Sequence, residues 1–312
     1  MENKTALVTG GAGYLGSVVS KHLKRQGWRV VCFDKKKPKH KYYDILEQGD
    51  IRDIGSLDYL FRQVKIDVVF HLAGRIEVGE SMINPTEFWE VNVGGTTNLL
   101  QIMKKYGVGY ILFSSTAGLY LAKDYPLIET DTLTNNHVYG NTKGACEVAI
   151  RDSGINHIIF RYFNLAGAED DVGENHEPET HLIPRILQNL NSVEVYGNDF
   201  DTIDGSCVRD YVHVSDVAEA HISGLNYLLN GGKSETINLG NGQGHSVFQI
   251  IDLIRKELKL PVEYTVKPRR AGDPDSLIAD ISFAKSLLKY RPKHDILSII
   301  ETAYEWNEKN GK

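Results

Sequence analysis

The sequence has few cysteines and lacks long apolar runs. Its 312 residues include three cysteines, Cys32, Cys146 and Cys207, whose positions follow no metal-ligand spacing. Scattered thiols suit packing roles in a reducing compartment, and we predict no metal site. No stretch is long enough to span a bilayer, and the N-terminus shows no cleavable apolar segment. The expected location is therefore the cytoplasm.

A strong excess of charge is also missing. The formal net charge of −6 argues against general affinity for nucleic acids or membranes. The one dense basic run, "KKKPKHK" at 35–41, is interpreted as a solvated loop. Apolar and charged fractions of 41% and 24% are ordinary for a globular protein. The length suits one large domain or two fused ones.

Short apolar runs alternate with helical patterns in the first half of the chain. Helices are expected at 14–26, 56–64, 85–106 and around Tyr139. The predicted strands lie between them, at 5–9, 29–33, 67–72, 109–115 and 157–162. This alternation implies right-handed crossovers and predicts the α/β class, with a doubly wound parallel sheet of the Rossmann type.

The composition of the sequence changes near residue 165. The following segment, "NLAGAEDDVGENHEPETH", is irregular and rich in Gly, Asn, Asp and Glu. We predict a dinucleotide-binding domain at 1–165 and a smaller α/β substrate-binding lobe at 166–312. The stretch from about 208 to 240 is expected to return to the first domain, because it resumes helical and strand patterns.

The stretch "TALVTGGAGYLG" combines a strand, a glycine-rich turn and the start of a helix. Gly10, Gly13 and Gly16 allow a tight turn and close approach of a pyrophosphate to the helix N-terminus. Asp34 ends the second strand at the distance expected for a carboxylate that binds the ribose hydroxyls. It favours NAD over NADP, although Lys35 to Lys37 could pair with a 2′-phosphate.

A second motif, "HVYGNTKGACE", places Tyr139 and Lys143 four residues apart. In a helix the two side chains share one face, one turn apart. A phenol with a pKa of roughly 10 is a poor base at neutral pH. A nearby ammonium and a positively charged nicotinamide would lower that pKa and let the phenolate accept a proton. The alternative is a surface helix with an ordinary aromatic residue and a solvated lysine.

Together these motifs resemble the signature of the extended short-chain dehydrogenase/reductase family. Further stretches make the sequence similar to the nucleotide-sugar 4-epimerases of the UDP-glucose (UDP-galactose) 4-epimerase type. They are "HLAGRIEVGES", "FSSTAGLY", "RYFNLAGA", "VEVYGNDFDTIDGSCVRDYVHVSDVA" and "RRAGDPDSL". The resemblance runs nearly end to end. It implies reversible epimerisation at C4 of a UDP-hexose through a 4-keto intermediate, with transient hydride transfer to bound NAD.

The resemblance also implies roles for individual residues. Thr116, Tyr139 and Lys143 would be catalytic. The residues that would bind the cofactor are Gly10, Gly13, Tyr14, Leu15, Gly16, Asp34, Asp50, Ile51, Leu72, Ala73, Gly74, Asn92, Tyr139, Lys143 and Phe163. Those that would bind the UDP-sugar are Thr116, Asn164, Leu182, Tyr196, Arg209, Arg270, Asp273 and Leu277. Core packing is the alternative for the apolar members, and an ion pair with Asp210 is the alternative for Arg209.

One departure and three alternative functions qualify the match. Ile76 stands where the family usually has a cofactor-contacting lysine, with Arg75 before it. A 4,6-dehydratase needs an acid–base carboxylate pair after Thr116, where this chain has Ala117 and Gly118. A UDP-uronate 4-epimerase or decarboxylase, and a non-catalytic NAD-sensing protein, stay open as alternatives.

Two finer expectations concern the sugar and the oligomer. Leu277 occupies a position where some members have a bulky aromatic residue, so UDP-GlcNAc and UDP-GalNAc would be accepted beside the plain sugars. Related enzymes pair two helices into a four-helix bundle, which predicts a homodimer. The apolar residues assigned to that interface are Phe88, Val91, Leu99, Ile102, Ala145, Val148 and Ala149.

Overall fold

A computed structural model describes residues 4–134, 136–176, 179–270 and 272–310. Contacts between Cα atoms divide the chain into two compact units. The first comprises the described residues of Met1–Leu119, Leu133–Arg161 and Ala218–Ile237, and the second those of Tyr120–Thr132, Tyr162–Val217 and Asn238–Lys312.

The strands and helices alternate along most of the chain. The strands are β1 (Thr5–Thr9), β2 (Arg29–Asp34), β3 (Ile45–Gln48), β4 (Val68–His71), β5 (Tyr110–Thr116), β6 (Asn156–Tyr162), β7 (Asn164–Ala166), β8 (Ala168–Glu169), β9 (Val172–Gly173), β10 (Val193–Tyr196), β11 (Val208–His213), β12 (Glu235–Leu239), β13 (Gly244–Ser246), β14 (Tyr264–Lys267) and β15 (Ser276–Leu277). The α-helices are α1 (Tyr14–Arg25), α2 (Ile54–Gln63), α3 (Val78–Ile83), α4 (Pro85–Phe88), α5 (Gly95–Tyr106), α6 (Val138–Asp152), α7 (Leu182–Gln188), α8 (Val214–Leu229), α9 (Val247–Glu257), α10 (Ser282–Leu288) and α11 (Ile296–Asn310).

The first unit is built on a seven-stranded sheet in the order β12-β6-β5-β4-β1-β2-β3. Strand β1 pairs in parallel with β2 and β4, and the parallel pairing continues to β3 and β5. All residues of β1 and β4 are buried, as expected for strands covered on both faces. The predicted doubly wound parallel sheet is confirmed, and its five predicted strands all form.

The predicted helix at 85–106 is not continuous. It is divided into α4, a π-helical segment at Trp89–Gly94, and α5. Three residues assigned to a dimer interface, Phe88, Leu99 and Ile102, are instead buried within the chain with at most 3% exposure. That part of the expectation is wrong, because the apolar stripe of α5 packs on the core that also holds Phe113 and Ile150.

The second unit has smaller sheets. Strand β11 pairs in parallel with β7 and β15 and antiparallel with β13, while β10 pairs in parallel with β14. Helices α7, α9 and α11 supply Ile183, Ile250 and Ile299 to a separate core.

Cys32 and Cys146 are buried free thiols, which agrees with their expected packing role. Over the described residues, we find no helix that combines the length and the apolar character needed to cross a membrane.

Candidate active site

Helix α6 carries the Tyr139/Lys143 motif and begins at a histidine cap. The Nδ1 atom of His137 accepts a hydrogen bond from the Gly140 amide at 2.9 Å, and its Nε2 lies 3.1 Å from the Gly118 carbonyl oxygen. A Cβ at Gly140 would lie only 2.9 Å from the His137 ring. The glycine that weakens helix propensity is therefore required by this cap, and tertiary contacts hold the helix.

Tyr139 and Lys143 are both buried. Tyr139 exposes 9% of its surface and Lys143 exposes 3%. The Tyr139 phenol hydrogen-bonds to the Thr116 hydroxyl at the end of β5. The Lys143 Nζ lies 4.5 Å from the centroid of the Phe113 ring. These contacts bring the three residues with implied catalytic roles into one buried region of the first unit.

Burial dominates the electrostatics of this pair in the chain without a cofactor. It raises the pKa of Tyr139 to about 12, and the hydrogen bond from Thr116 only partly offsets it. Burial lowers the pKa of Lys143 to about 8. The expected lowering of the tyrosine pKa also relies on a bound nicotinamide and stays a prediction. The phenolate needs further positive charge at this site.

Sequence reasoning missed two groups that position Tyr139. The Ser81 hydroxyl oxygen accepts a hydrogen bond from the Tyr139 amide at 3.1 Å, and His137 stacks on the Tyr139 ring at 6.0 Å between centroids. Ser81 ends the quoted stretch "HLAGRIEVGES", so its place in a motif was a usable signal. His137 directly precedes the helix, where cap residues are expected.

The glycine loop joins β1 to α1. Gly10 has a φ of +71°, and a Cβ there would lie 2.7 Å from the Ala73 amide nitrogen. A Cβ at Gly16 would overlap the Gly10 carbonyl oxygen. Gly13 is the N-cap of α1, so Tyr14 and Leu15 form the first turn of that helix. Backbone N–H groups at such a helix start attract anions, and this loop fits a pyrophosphate.

Asp34 lies beside the glycine loop. Its carboxylate accepts hydrogen bonds from the Ala12 amide at 3.0 Å and from the Lys36 amide at 2.8 Å. The Lys35 ammonium lies 3.4 Å from the Asp50 carboxylate. Hydrogen bonds from Arg52, strengthened by its charge, lower the pKa of Asp50 to about 2. Both carboxylates are therefore oriented by hydrogen bonds from neighbouring residues.

Asn92 links the strand-end loop to α6. It lies in the π-helical segment and donates a hydrogen bond from Nδ2 to the Thr142 hydroxyl at 2.9 Å. A Cβ at Gly74 would lie 3.0 Å from Asn92 Oδ1 and 3.8 Å from Lys143 Nζ. Gly74 therefore keeps open a space next to the lysine. Leu72 and Ala73 precede it directly after β4.

The Arg75 side chain contacts two residues of the same chain. Its guanidinium lies 2.7 Å from the Glu87 carboxylate and 5.1 Å from the centroid of the Phe88 ring. The carboxylate and the ring hold the side chain, so the structure gives Arg75 a packing role.

Other sequence-predicted residues gather in the second unit. The Arg209 guanidinium lies 3.2 Å from the Asp273 carboxylate, and Leu277 stands opposite Arg209 in the pairing of β11 with β15. The Arg270 guanidinium stacks 4.0 Å above the centroid of the Tyr196 ring. The alternative pairing of Arg209 with Asp210 is wrong, because the Asp210 carboxylate accepts backbone N–H groups at positions 241, 242 and 279 instead.

The remaining residues predicted for this unit occupy separate elements. Asn164 begins β7 and pairs in register with Tyr211. Leu182 is the first residue of α7. Phe163 is buried and stacks on Tyr120 with 6.4 Å between ring centroids, which is also what a core phenylalanine would do.

The fold and these motifs define the class of protein. Residues 6–240 match the model of the NAD dependent epimerase/dehydratase family, and the chain belongs to that family. It is similar to the UDP-glucose 4-epimerase of Rhizobium meliloti (strain 1021), with 40% identity covering 100% of this chain and 99% of that protein.

Solved structures show the same likeness. The UDP-glucose 4-epimerase of Bifidobacterium longum, in complex with NAD+ and UDP, has a TM-score of 0.91 and 32% identity, with 98% of this chain and 99% of that chain covered. The UDP-Glc/GlcNAc 4-epimerase of Campylobacter jejuni has a TM-score of 0.83 and 32% identity, with 98% and 100% covered.

Proposed function

We propose that this chain is an NAD-dependent enzyme that interconverts UDP-glucose and UDP-galactose by epimerisation at C4. The observation that carries the proposal is the grouping of the partly buried Thr116 with the buried Tyr139 and Lys143, joined by a hydrogen bond and one helix. The full-length similarity to UDP-glucose 4-epimerases supports it. A 4,6-dehydratase is disfavoured because Ala117 and Gly118 offer no acid–base carboxylate after Thr116.

The first unit is the proposed NAD domain. The glycine loop fits the pyrophosphate, since side chains at Gly10 or Gly16 would collide with the surrounding backbone. Asp34 suits the ribose hydroxyls and would repel a 2′-phosphate. Lys35 is placed near Asp50, which weakens the case for NADP. Bound NAD would supply a reversible hydride acceptor.

Tyr139 is the proposed acid–base residue. Its phenol would take the proton from the sugar 4-hydroxyl and return it when the alcohol re-forms. Because burial raises its pKa to about 12, the phenolate depends on positive charge, which Lys143 and the oxidised cofactor would supply. Thr116 would hold the same hydroxyl by a hydrogen bond.

The second unit is the proposed UDP-sugar lobe. Arg209 and Arg270 carry the fixed positive charge that a diphosphate requires, and guanidinium groups bind phosphate oxygens in a bidentate manner. Tyr196 orients Arg270, and Asp273 orients Arg209. Strong binding of UDP and weak binding of the hexose would let the keto intermediate turn between its two faces.

The test uses purified chain without added cofactor. UDP-galactose, UDP-N-acetylgalactosamine and UDP-galacturonate are supplied separately, and the products are resolved by chromatography. Formation of UDP-glucose from UDP-galactose is expected. Turnover of the uronate alone would favour the UDP-uronate alternative, and NAD binding without turnover of any sugar would favour the NAD-sensing alternative.

We also propose a homodimer, through a surface revised from the sequence expectation. The exposed apolar residues of this surface are Met82 and Ile83 of α3, Trp89 of the π-helical segment and Val148 of α6. Both α3 and the π-helical segment contact α6. An exposed apolar patch of this kind is typical of an interface. Light scattering at micromolar concentration should give a dimer for the wild type and a monomer for Val148→Lys.

The buried free thiols support a cytoplasmic location.

A further inference from the structure

Two glutamates and two histidines converge in the loop between β9 and α7. One ligand atom each from Glu174, His176, Glu179 and His181 lies within 4.8 Å of all the others. The four residues come from one irregular segment, with the spacing E-x-H-x-x-E-x-H. We propose that they form a structural binding site for a divalent transition metal, with Zn²⁺ as the preferred ion. This proposal departs from the sequence expectation of no metal site.

The separations within the cluster are close to those of a tetrahedral ligand set. The His181 Nδ1 lies 3.4 Å from Glu179 Oε1 and 2.7 Å from Glu174 Oε1, and the two Glu179 oxygens face different histidines. The His176 Nδ1 lies 3.5 Å from the same Glu174 oxygen and 3.7 Å from Glu179 Oε2. Nitrogen and oxygen ligands at ~2.0–2.2 Å from zinc lie roughly 3.3–3.6 Å apart at the corners of a tetrahedron. Three of the four separations are near that length.

Unsatisfied polar atoms provide the second, independent observation. Glu174 exposes only 7% of its surface, and its Oε2 has no hydrogen-bond partner among the residues that the structure describes. Within the same described residues, the Nδ1 atoms of His176 and His181 are also buried without a hydrogen bond, although both approach the Glu174 carboxylate. Buried polar atoms normally have partners. A cation at the centre of the cluster would give partners to all three.

Protonated histidines are the competing explanation. Glu174 and Glu179 place carboxylate oxygens 2.7–3.7 Å from the Nδ1 atoms of the two rings. The carboxylates therefore create a site that attracts a cation, whether a proton or a metal. A divalent ion balances both carboxylates at once and accepts both imidazole nitrogens as ligands. Two imidazolium rings, with centroids 5.2 Å apart, would repel each other.

The position of the cluster indicates a structural role. Four protein ligands complete a tetrahedral shell and leave no open position for a substrate. The loop begins after Gly173, where a Cβ would overlap the Trp306 ring, and ends at Leu182, the first residue of α7. A bound metal would fix this loop between the two anchored ends. It would thereby fix the start of α7, where Leu182 is proposed to contact UDP.

The test measures metal binding to the untagged full-length chain after dialysis against a chelator. Titration calorimetry with ZnCl₂ should show one ion per chain. Glu174→Gln/His176→Gln should weaken binding at least 100-fold, because it removes two ligands while keeping similar side-chain size. The matched control, Glu257→Gln/His22→Gln, changes a glutamate and a histidine of α9 and α1 and should bind like the wild type.

Two outcomes would overturn the proposal. One is a wild type that binds none of Zn²⁺, Mn²⁺, Fe²⁺, Co²⁺ and Ni²⁺, and the other is a ligand variant that binds as tightly as the wild type. If the variant does not fold, X-ray absorption of the zinc-loaded wild type decides. It should show imidazole and oxygen ligands, and a sulfur ligand or a shell without imidazole would contradict the site. Epimerase assays do not enter this test, so its result is independent of the proposed activity.

Discussion

Glu147, on the helix that carries Lys143, forms a buried ion pair with Arg161 of β6. The carboxylate and guanidinium lie 2.7 Å apart, and the two side chains expose 1% and 3% of their surface. The Ser115 hydroxyl donates a further hydrogen bond to Glu147 at 2.5 Å. Strands β5 and β6 are thus both joined to α6. This contact fixes the helix that positions Tyr139 and Lys143.

Removing the carboxylate should therefore destabilise the fold. Glu147→Gln removes the carboxylate charge that balances the buried Arg161 guanidinium, which costs about 3–5 kcal/mol in the free energy of unfolding. Arg151 is the matched control, since it pairs with the same carboxylate at 2.7 Å but exposes 40% of its side chain. Arg151→Ala should lower the free energy of unfolding by less than about 1 kcal/mol. Denaturant unfolding measures both, and equal losses would contradict the assigned role of the buried pair.

Tyr139→Phe should abolish epimerisation and keep the fold. The variant loses the hydroxyl that would transfer the proton, a contribution of typically 10²- to 10⁴-fold. The helix cap at His137 and the ring contacts stay, so thermal stability and bound NAD should change little. Tyr59→Phe, at a side chain that is 58% exposed, is the control and should keep full activity. Turnover by Tyr139→Phe near the wild-type rate would exclude the proposed role.

Much of the first unit could be predicted because its strands are nearly continuous apolar runs. Strand β3 was not predicted, since "ILEQ" is a half-exposed edge strand with two polar residues. The π-helical turn was not predicted either, because its apolar spacing does not differ visibly from that of an α-helix over six residues. Edges and local irregularities depend on neighbours that are distant in the chain.

The candidate site was predictable only in part. The spacing of Tyr139 and Lys143 indicates a shared helix face, but the direction of their pKa shifts depends on how much protein covers them. The cluster of Glu174, His176 and His181 lies in a polar segment interpreted as irregular. Its convergence requires a loop conformation that neither helical nor strand periodicity describes.

The buried histidine at the end of β4 should make stability depend on pH. The His71 ring lies between the Thr9 and Thr96 hydroxyls at 2.8 and 2.9 Å, and burial lowers its pKa to about 3. An unfolded histidine binds a proton below pH ~6.5, whereas the folded one does not. The His71 contribution to stability is therefore complete above that pH and is lost progressively as the pH falls toward 3.

This dependence can be isolated by substitution. Between pH 7.5 and 5, His71 should account for a loss of about 2 kcal/mol in the free energy of unfolding. His71→Asn is expected to be less stable than the wild type at both pH values. The loss in its free energy of unfolding between pH 7.5 and 5 should be smaller than that of the wild type by about that amount. His22→Asn, at a half-buried position of α1, should keep the wild-type difference. Urea unfolding at both pH values checks this, and an unchanged difference in His71→Asn would contradict it.

Leu277 should decide whether N-acetylated sugars are accepted. It is only partly buried in β15 and stands opposite Arg209, one of the residues proposed to bind the diphosphate. This exposure disfavours the alternative of a core leucine. A filled pocket excludes an N-acetyl group sterically, whereas a roomier one loses only ~1–3 kcal/mol of contacts with the smaller sugar.

The measurement is kcat/KM for UDP-galactose and for UDP-N-acetylgalactosamine in three proteins. The wild type should convert both sugars. Leu277→Tyr should lose the N-acetylated activity by at least tenfold and keep most of the activity on the plain sugar, because the added ring occupies the space of the 2-substituent. Leu277→Met conserves side-chain volume and should keep both activities. A wild type that fails on the N-acetylated sugar, or a tyrosine variant that loses both activities equally, would show that residue 277 does not control this selectivity.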